Sequence, residues 1–373
     1  MRDGARVGLF LAAFFAAAAV TSAYLPLWFA DRGLTAPEIG TVLGLGSLLR
    51  VVAVPGWGWL ADALGRRRAV LFGAALLAGG CAALLPGTGG YWTILLVSAV
   101  QGVSASALTP LADALSLALA GARRLDYGRT RAWGSASYML ATALSGGLIG
   151  RTGSWVVPWM LTAGYGAAAA LASLLPEVPP GGRRGSGNPL RLPAFRMALL
   201  ATALIQGAHA AYYGFAPLYW RSLGIPDGTI GLLVAEGIVA EVALFIWGRR
   251  LVERLGPARL TALAAVLSAL RWTLTAFVTA VPALAAVQVL HSGTFAFQHW
   301  STMLVLRTLP ASRAGTAQAL MSALGFSAPV AVLTWVAGQV YGTLGGLTFL
   351  VMAVVGGLGM TAVPGLRRVP APE

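Results

Sequence analysis

Apolar residues run through this chain in long blocks, separated by short polar segments rich in arginine, glycine and proline. A helix needs about 20 largely apolar residues to cross the hydrocarbon core of a bilayer. Twelve blocks are long enough: 7–30, 39–61, 69–86, 92–119, 132–150, 155–175, 195–220, 228–248, 258–278, 283–306, 314–336 and 342–364. The pattern predicts an all-α membrane protein with 12 transmembrane helices. The one long polar gap, Leu175–Pro193, contains Pro176, Pro179, Pro180, Gly181, Gly182, Arg183, Arg184, Gly185, Ser186 and Gly187. That composition reads as a flexible linker. It divides the chain into a six-helix bundle over 1–175, a linker over 176–193 and a second six-helix bundle over 194–373.

The two halves are related. Pro26–Arg68 lies on Pro217–Arg259 without a gap, a shift of 191 positions. Pro26 meets Pro217, Gly33 meets Gly224, Ile39 meets Ile230 and Gly40 meets Gly231. Leu60 meets Leu251, acidic Asp62 meets acidic Glu253, Gly65 meets Gly256 and Arg68 meets Arg259. A gapless internal match of this length marks a duplication, so the two bundles are expected to be pseudo-symmetric.

Composition agrees with the pattern. The chain is 57% hydrophobic and 10% charged, against about 25% charged in a soluble domain. Its net charge of +14 comes entirely from arginine, because the sequence has no lysine. The placement of those arginines excludes a nucleic-acid partner. With the N-terminus inside, Arg32, Arg151 and Arg221 alone face out and Arg50 and Arg271 fall within helices. All the others, including Arg66–Arg68, Arg123, Arg124, Arg183, Arg184 and Arg367, are cytoplasmic. This is the positive-inside bias. It implies a multi-pass protein of the bacterial inner (cytoplasmic) membrane with both termini and the linker in the cytoplasm. The first apolar block is too long for a cleavable signal peptide. A single cysteine, Cys81, excludes an intramolecular disulfide and a cysteine metal cluster. No phosphate-binding loop, nucleophile–base pair or metal-ligand spacing occurs, so neither an enzyme nor a cofactor is expected.

Between the second and third blocks stands Gly58-Trp-Leu-Ala-Asp62-Ala-Leu-Gly65-Arg66-Arg67-Arg68. With six plus six helices and a long central loop, this resembles the major facilitator superfamily, and Gly58, Asp62, Gly65, Arg66 and Arg67 stand at its signature positions. A narrower resemblance, to the 3-phenylpropionate permease-like branch related to the lactose permease and nucleoside–proton symporters, rests on Pro110–Asp113, Asp126–Ser135, Ala240–Val242, Leu270–Trp272 and Leu290–His299. The resemblance implies a monomeric secondary transporter working by alternating access. It also implies that Asp62, Arg66 and Arg67 act as an inner latch between helices, and that helices 1, 4, 7 and 10 surround a central cavity.

Charge is costly at mid-membrane, about 2.5–3.5 kcal/mol on insertion scales, so each ionisable residue there needs a reason. Glu241 in helix 8, Arg271 in helix 9, and His291 and His299 in helix 10 form a candidate proton-handling cluster; the alternative is a static buried ion pair. Arg50 occupies the repeat position of Glu241. It is a candidate counter-ion for an anionic substrate, or else the partner of an internal group such as Glu236. Asp113 and Arg131 are candidates for a pair near the cytoplasmic mouth, as a gate or as a structural contact. Tyr24, Gln101, Gln206, His209, Tyr213 and Gln298 are candidates for lining the cavity, where aromatic residues would suit a ring-bearing substrate.

These readings describe a transporter that moves a small organic solute, aromatic or carboxylated, through the lipid bilayer by symport with protons. The alternative is a proton-antiporting exporter of drug-like compounds. The topology is directly testable. Single cysteines introduced as Ser186→Cys and Gly89→Cys should react with a membrane-impermeant thiol reagent from opposite sides. Labelling of both from one side would overturn the twelve-helix arrangement.

Overall fold

The computed structural model describes residues 2–177 and 188–367. The linker positions 178–187 lie outside the described residues. Among the described residues the chain is helical throughout, without a strand. In order the helices are α1 (Arg2–Asp31), α2 (Ala36–Leu64), α3 (Arg67–Leu84), α4 (Tyr91–Ala105), α5 (Leu108–Gly121), α6 (Tyr127–Thr152) and α7 (Val157–Ala172). After the linker come α8 (Pro193–Gly207), α9 (Ala210–Ser222), α10 (Asp227–Trp247), α11 (Arg249–Phe277), α12 (Val281–Arg307), α13 (Ala311–Leu320), α14 (Ala328–Leu344), α15 (Thr348–Leu358) and α16 (Val363–Leu366).

Eight described stretches are long and apolar enough to span a bilayer, and one of them, Gly315–Leu366, has 52 residues. At about 1.5 Å per residue that is length enough for two crossings. Three expected crossings fall short for visible reasons. α6 and α12 carry many polar residues, and α8 and α9 are two short pieces, of 15 and 13 residues, of one expected helix. The set is consistent with twelve crossings. The exterior is that of a membrane protein, because Trp247, Val52 and Trp92 are each at least 75% exposed. Large apolar side chains exposed in this way mark contact with lipid.

Two expected continuous helices are broken, and each break has a local cause. Between α4 and α5, the carbonyl of Val103 accepts from the indole of Trp57 at 2.8 Å and from the Ser106 hydroxyl at 2.6 Å. The Ala107 amide, which would otherwise use that carbonyl, bonds Ser104 instead. Between α8 and α9, the His209 imidazole takes the carbonyl of Ile205 at 3.1 Å. The backbone amide of His209 shifts to Gln206. In both places a side chain competes with the helix ladder for an i−4 carbonyl. A π-helical stretch, Met321–Ser327, joins α13 to α14.

The duplication is visible in the backbone. Gly33 and Gly224 take φ of +84° and +80°, and Gly65 and Gly256 take +62° and +67°. The turn after α1 has Gly33 bonding the Ala30 carbonyl and Leu34 bonding that of Phe29. After α9, Gly224 bonds Arg221 and Ile225 bonds Trp220 in the same register. This is the Schellman motif, whose left-handed residue favours glycine. α2 and α10 both begin at the expected repeat positions. α10 stops early, at Trp247, because the chain breaks at Gly248 and again at Gly256.

The chain divides into two compact units. The first is Met1–Gly182 with Pro226–Leu232, and the second is Arg183–Ile225 with Leu233–Glu373. The start of α10 therefore groups with the first unit rather than with the 194–373 bundle. Within that first unit, Gly228 approaches Gly147 of α6 closely: a Cβ on Gly228 would lie 3.7 Å from its Cα. Small residues allow such backbone approach. α1 packs on α6 and α7, and α3 on α4 and α7. In the second unit α11 packs on α12 and α15, and α8 on α12.

The Schellman glycines give a stability prediction. Nothing lies within 4 Å of a Cβ on Gly224, so the penalty of a side chain there is conformational alone. Gly224→Ala should cost about 1–2 kcal/mol, read as a lowered unfolding temperature in detergent, and Gly224→Asn should cost less. Equal stability of Gly224→Ala and the parent would show that the turn relaxes.

Candidate functional site

The first unit holds a cavity of about 320 Å³. Phe14, Phe15 and Phe29 from α1 and Val42 and Leu43 from α2 give it apolar walls. Thr21, Ser22, Arg50, Ser98, Gln101, Tyr138 and Tyr165 are part of its polar lining. Several of these polar groups are already engaged. The Tyr165 hydroxyl lies 3.3 Å from Thr21 Oγ1, and Tyr138 bonds Ser22. Others have no protein partner. The Gln101 Nε2 and Ser98 Oγ atoms are buried without a hydrogen bond, and no described carboxylate pairs with Arg50. Arg50, Gln101 and Ser98 thus present a cation and two further donors to one apolar chamber. Ser98 was not foreseen. Its spacing from Gln101, three residues on the same helix, was the available signal.

Tyr24 is fully buried, and its hydroxyl donates to the Thr142 carbonyl at 2.6 Å, tying α1 to α6. The signature residues cluster at the α2–α3 turn. Gly65 caps α2 in the left-handed conformation, and Arg67 Nη2 stands 3.7 Å from Asp62 Oδ1. Arg66 is the residue before α3. No atom lies within 4 Å of a Cβ built on Gly58, so packing among the described residues does not require glycine there. Asp113 Oδ1 lies 3.7 Å from Arg131 Nε and 3.5 Å from the Tyr127 hydroxyl, and the Arg131 guanidinium rests 4.3 Å over the ring of Phe15.

The second unit contains a dense polar array around Arg271, which is completely buried. Its Nη1 is 2.9 Å from His291 Nδ1 and 3.5 Å from Thr294 Oγ1, and its Nη2 donates to Gln288 Oε1 at 3.1 Å. Its guanidinium lies 4.2 Å and 4.6 Å from the ring centres of Trp272 and Tyr212, a cation–π arrangement. His291 Nε2 stands 3.2 Å from Glu241 Oε2. Arg271, expected to approach Glu241, thus reaches it through an imidazole. Since a guanidinium only donates, His291 Nδ1 accepts, and the ring proton sits on Nε2, directed at Glu241.

His209 is buried beside this array. Its Nδ1 meets the Ile205 carbonyl and its Nε2 meets Thr294 Oγ1, both at 3.1 Å. Tyr213 stacks on it with ring centres 5.9 Å apart. His299 is stacked on Phe295 and edge-on to Phe245, and is exposed. Gln206 donates to the Phe295 carbonyl at 3.1 Å, leaving its Oε1 without a partner. Gln298 is fully used. Its Nε2 donates to Thr202 and Thr302, and its Oε1 accepts from Thr261, in a buried network joining α8, α11 and α12. Thr294, the shared hydroxyl of the array, was not foreseen, since a lone threonine carries no sequence signal. Among the described residues no cluster of histidine, cysteine, aspartate or glutamate has the geometry to hold a metal ion.

Comparison with known proteins decides the family. The model of the MFS_1 like family matches residues 5–351. The chain belongs to this family of major facilitator transporters. It is a multi-pass membrane transporter, not an enzyme. It is 33% identical over 345 residues to the probable 3-phenylpropionic acid transporter of Escherichia coli (strain K12), covering 88% of this chain and 89% of that protein. Among solved structures it is similar to the nucleoside transporter NupG, with a TM-score of 0.80 at 16% identity over 99% of this chain and 100% of that one. It is also similar to a D-xylose–proton symporter, with a TM-score of 0.74 at 16% identity over 99% and 97% of the two chains. At these identities the solved structures establish the shared fold alone.

The hydrogen-bond inventory separates structural from available amides in this transporter. Gln298→Leu removes three buried hydrogen bonds, to Thr202, Thr302 and Thr261, and should cost about 1–3 kcal/mol. Gln101→Leu breaks no protein contact of Nε2 and should leave stability within about 0.5 kcal/mol. Thermal unfolding of the two purified variants should show a clear drop for the first only. The reverse order would remove Gln101 from the set of available donors.

Proposed function

We propose that this transporter carries a small carboxylate with an aromatic or otherwise apolar body, together with protons, by alternating access. The observation that carries this reading is Arg50, a guanidinium without a carboxylate partner among the described residues, in a cavity walled by Phe14, Phe15 and Phe29. Charges attract strongly in a chamber with low-dielectric apolar walls, and a carboxylate substrate would supply the charge that Arg50 lacks. Gln101 Nε2 and Ser98 Oγ would donate to the same group, while the phenylalanine rings take up the apolar body. The relative named as a probable 3-phenylpropionic acid transporter supports this substrate class.

Proton coupling is assigned to Glu241, with Arg271 and His291 holding it in place and His299 nearby. A carboxylate in a bundle must be paired or protonated, and His291 offers a partner that does not need to leave when the proton arrives. The carbonyl oxygen of a protonated Glu241 still accepts from His291 Nε2. The D-xylose–proton symporter that shares the fold supports coupling to protons. Asp62, Gly65, Arg66 and Arg67 with Gly58, and the Asp113–Arg131 pair, are assigned to the conformational change. Both termini are assigned to the cytoplasmic face of the inner membrane, and the working unit to a monomer.

Proteoliposomes test the reading. Uptake of an aryl carboxylate such as 3-phenylpropionate should acidify the lumen; alkalinisation would indicate the antiport mechanism. Arg50→Gln should raise KM about 10–100-fold, the loss of a charge-assisted hydrogen bond of roughly 1.5–3 kcal/mol, with folding intact. Glu241→Gln should abolish uphill accumulation yet keep exchange between preloaded vesicles, because exchange needs no net proton movement. Accumulation by Glu241→Gln at the parent level would remove this residue as the proton carrier.

A further inference from the structure

His209 and Thr294 lie outside the Arg271–His291–Glu241 line, yet they are bonded to it. The hydrogen count around them differs from that around His291. At His291 a second proton would have to go on Nδ1, the atom that accepts from Arg271 Nη1 at 2.9 Å. Both atoms would then be donors, and the Arg271 contact would have to break. His291 cannot become a cation while Arg271 stays in place.

His209 carries no such block. Its Nδ1 faces the Ile205 carbonyl at 3.1 Å, and a carbonyl only accepts, so Nδ1 carries the ring proton. Its Nε2 lies 3.1 Å from Thr294 Oγ1. The same hydroxyl lies 3.0 Å from the carbonyl of His291. One hydroxyl proton therefore has two acceptors. When His209 is neutral, the hydroxyl donates to Nε2. When His209 takes a proton on Nε2, that N–H donates to Oγ1 and the hydroxyl turns to the His291 carbonyl. Both ring nitrogens are satisfied in both states, no helix has to move, and the change is the gain of one proton. Arg271 Nη1, 3.5 Å away, donates to Oγ1 in either state.

We propose that His209, rather than His291, is the histidine of this array that accepts a proton, and that Thr294 is the hydroxyl rotor that permits it. The groups facing His209 are His291 from α12, Tyr213 from α9 and, across Thr294, Arg271 from α11, with Tyr212 packed on His291 and Arg271 and Glu241 of α10 reached through His291. Arg271 opposes a second cation. Its charge is shared with His291, Gln288 and the faces of Tyr212 and Trp272. Tyr213 offers a ring face to the imidazolium, with ring centres 5.9 Å apart at 26°. The rotor's second acceptor is the backbone of His291 itself, so a proton on His209 alters the hydrogen bonding of the residue that holds Glu241. The role in transport rests on the symport reading above, but the proton-accepting step does not.

The test is nitrogen NMR of protein labelled with 15N-histidine, in lipid nanodiscs, without substrate. His299→Asn leaves two histidines, and His209→Asn in that background assigns them. At about pH 9 both should be neutral with opposite tautomers, His209 protonated on Nδ1 and His291 on Nε2. On acidification to about pH 5, His209 should gain a second proton while His291 stays singly protonated. Thr294→Ser should preserve this, and Thr294→Val should suppress the His209 change over the same range. The order of titration in the parent decides the proposal even where Thr294→Val does not fold. Titration of His291 first, titration of neither ring, or a Thr294→Val profile equal to the parent would each overturn it. Because no substrate is present, these outcomes are independent of symport. In transport, pH-dependent exchange lost in Thr294→Val and kept in Thr294→Ser would extend the proposal to coupling, and equal profiles in the two would confine it to the resting protein.

Discussion

A guanidinium that cannot reach water must spend its donors inside the protein, and the second unit is arranged around that constraint. Arg271 is completely buried. Desolvating such a charge costs several kcal/mol unless hydrogen bonds replace the lost water. Here two acceptors from α12, His291 and Gln288, its hydroxyl Thr294, and two ring faces, Tyr212 and Trp272, do so. These demands fix the polar face of α12, which explains why that helix is too polar to read as a simple span. They fix the tautomer of His291 and so the direction of its contact with Glu241.

Arg50 is exposed and lines a cavity, so its setting is different. It sits at the repeat position of Glu241, in a chamber whose other polar atoms include two buried groups without partners, Gln101 Nε2 and Ser98 Oγ. An arginine bonded through both terminal nitrogens holds structure, whereas one without a carboxylate partner among the described residues, beside idle donors, is suited to receive an anion. The duplication thus began with one position in two copies. One now carries the cation assigned to the substrate and the other the carboxylate assigned to the proton.

The helix breaks belong to the same economy of acceptors. At Val103 the indole of Trp57 takes a carbonyl from the ladder, and at Ile205 the imidazole of His209 does so. In lipid a freed backbone group must be satisfied locally, and each break is closed by an amide shifting to the i−3 carbonyl. His209 is therefore both a member of the polar array and the cause of the break beside it.

The sequence alone determined the fold class, because a helix in lipid must satisfy its own backbone and hence show as a long apolar block. It determined the repeat register to the residue: Gly33 and Gly224, and Gly65 and Gly256, share left-handed conformations that few other residues adopt. It also singled out Arg50, Glu241, Arg271 and the histidines, because charge is rare in apolar runs. Only the tertiary structure decided how these residues are used. It placed His291 between Arg271 and Glu241, left Arg50 without a carboxylate partner among the described residues, and committed Gln298 and Tyr24 to contacts between helices. It also brought forward Ser98, marked in the sequence only by its spacing from Gln101, and Thr294, a lone threonine with no sequence signal. Whether a polar atom is satisfied depends on groups from other helices tens of residues away, and no periodicity or spacing along one strand of sequence encodes that.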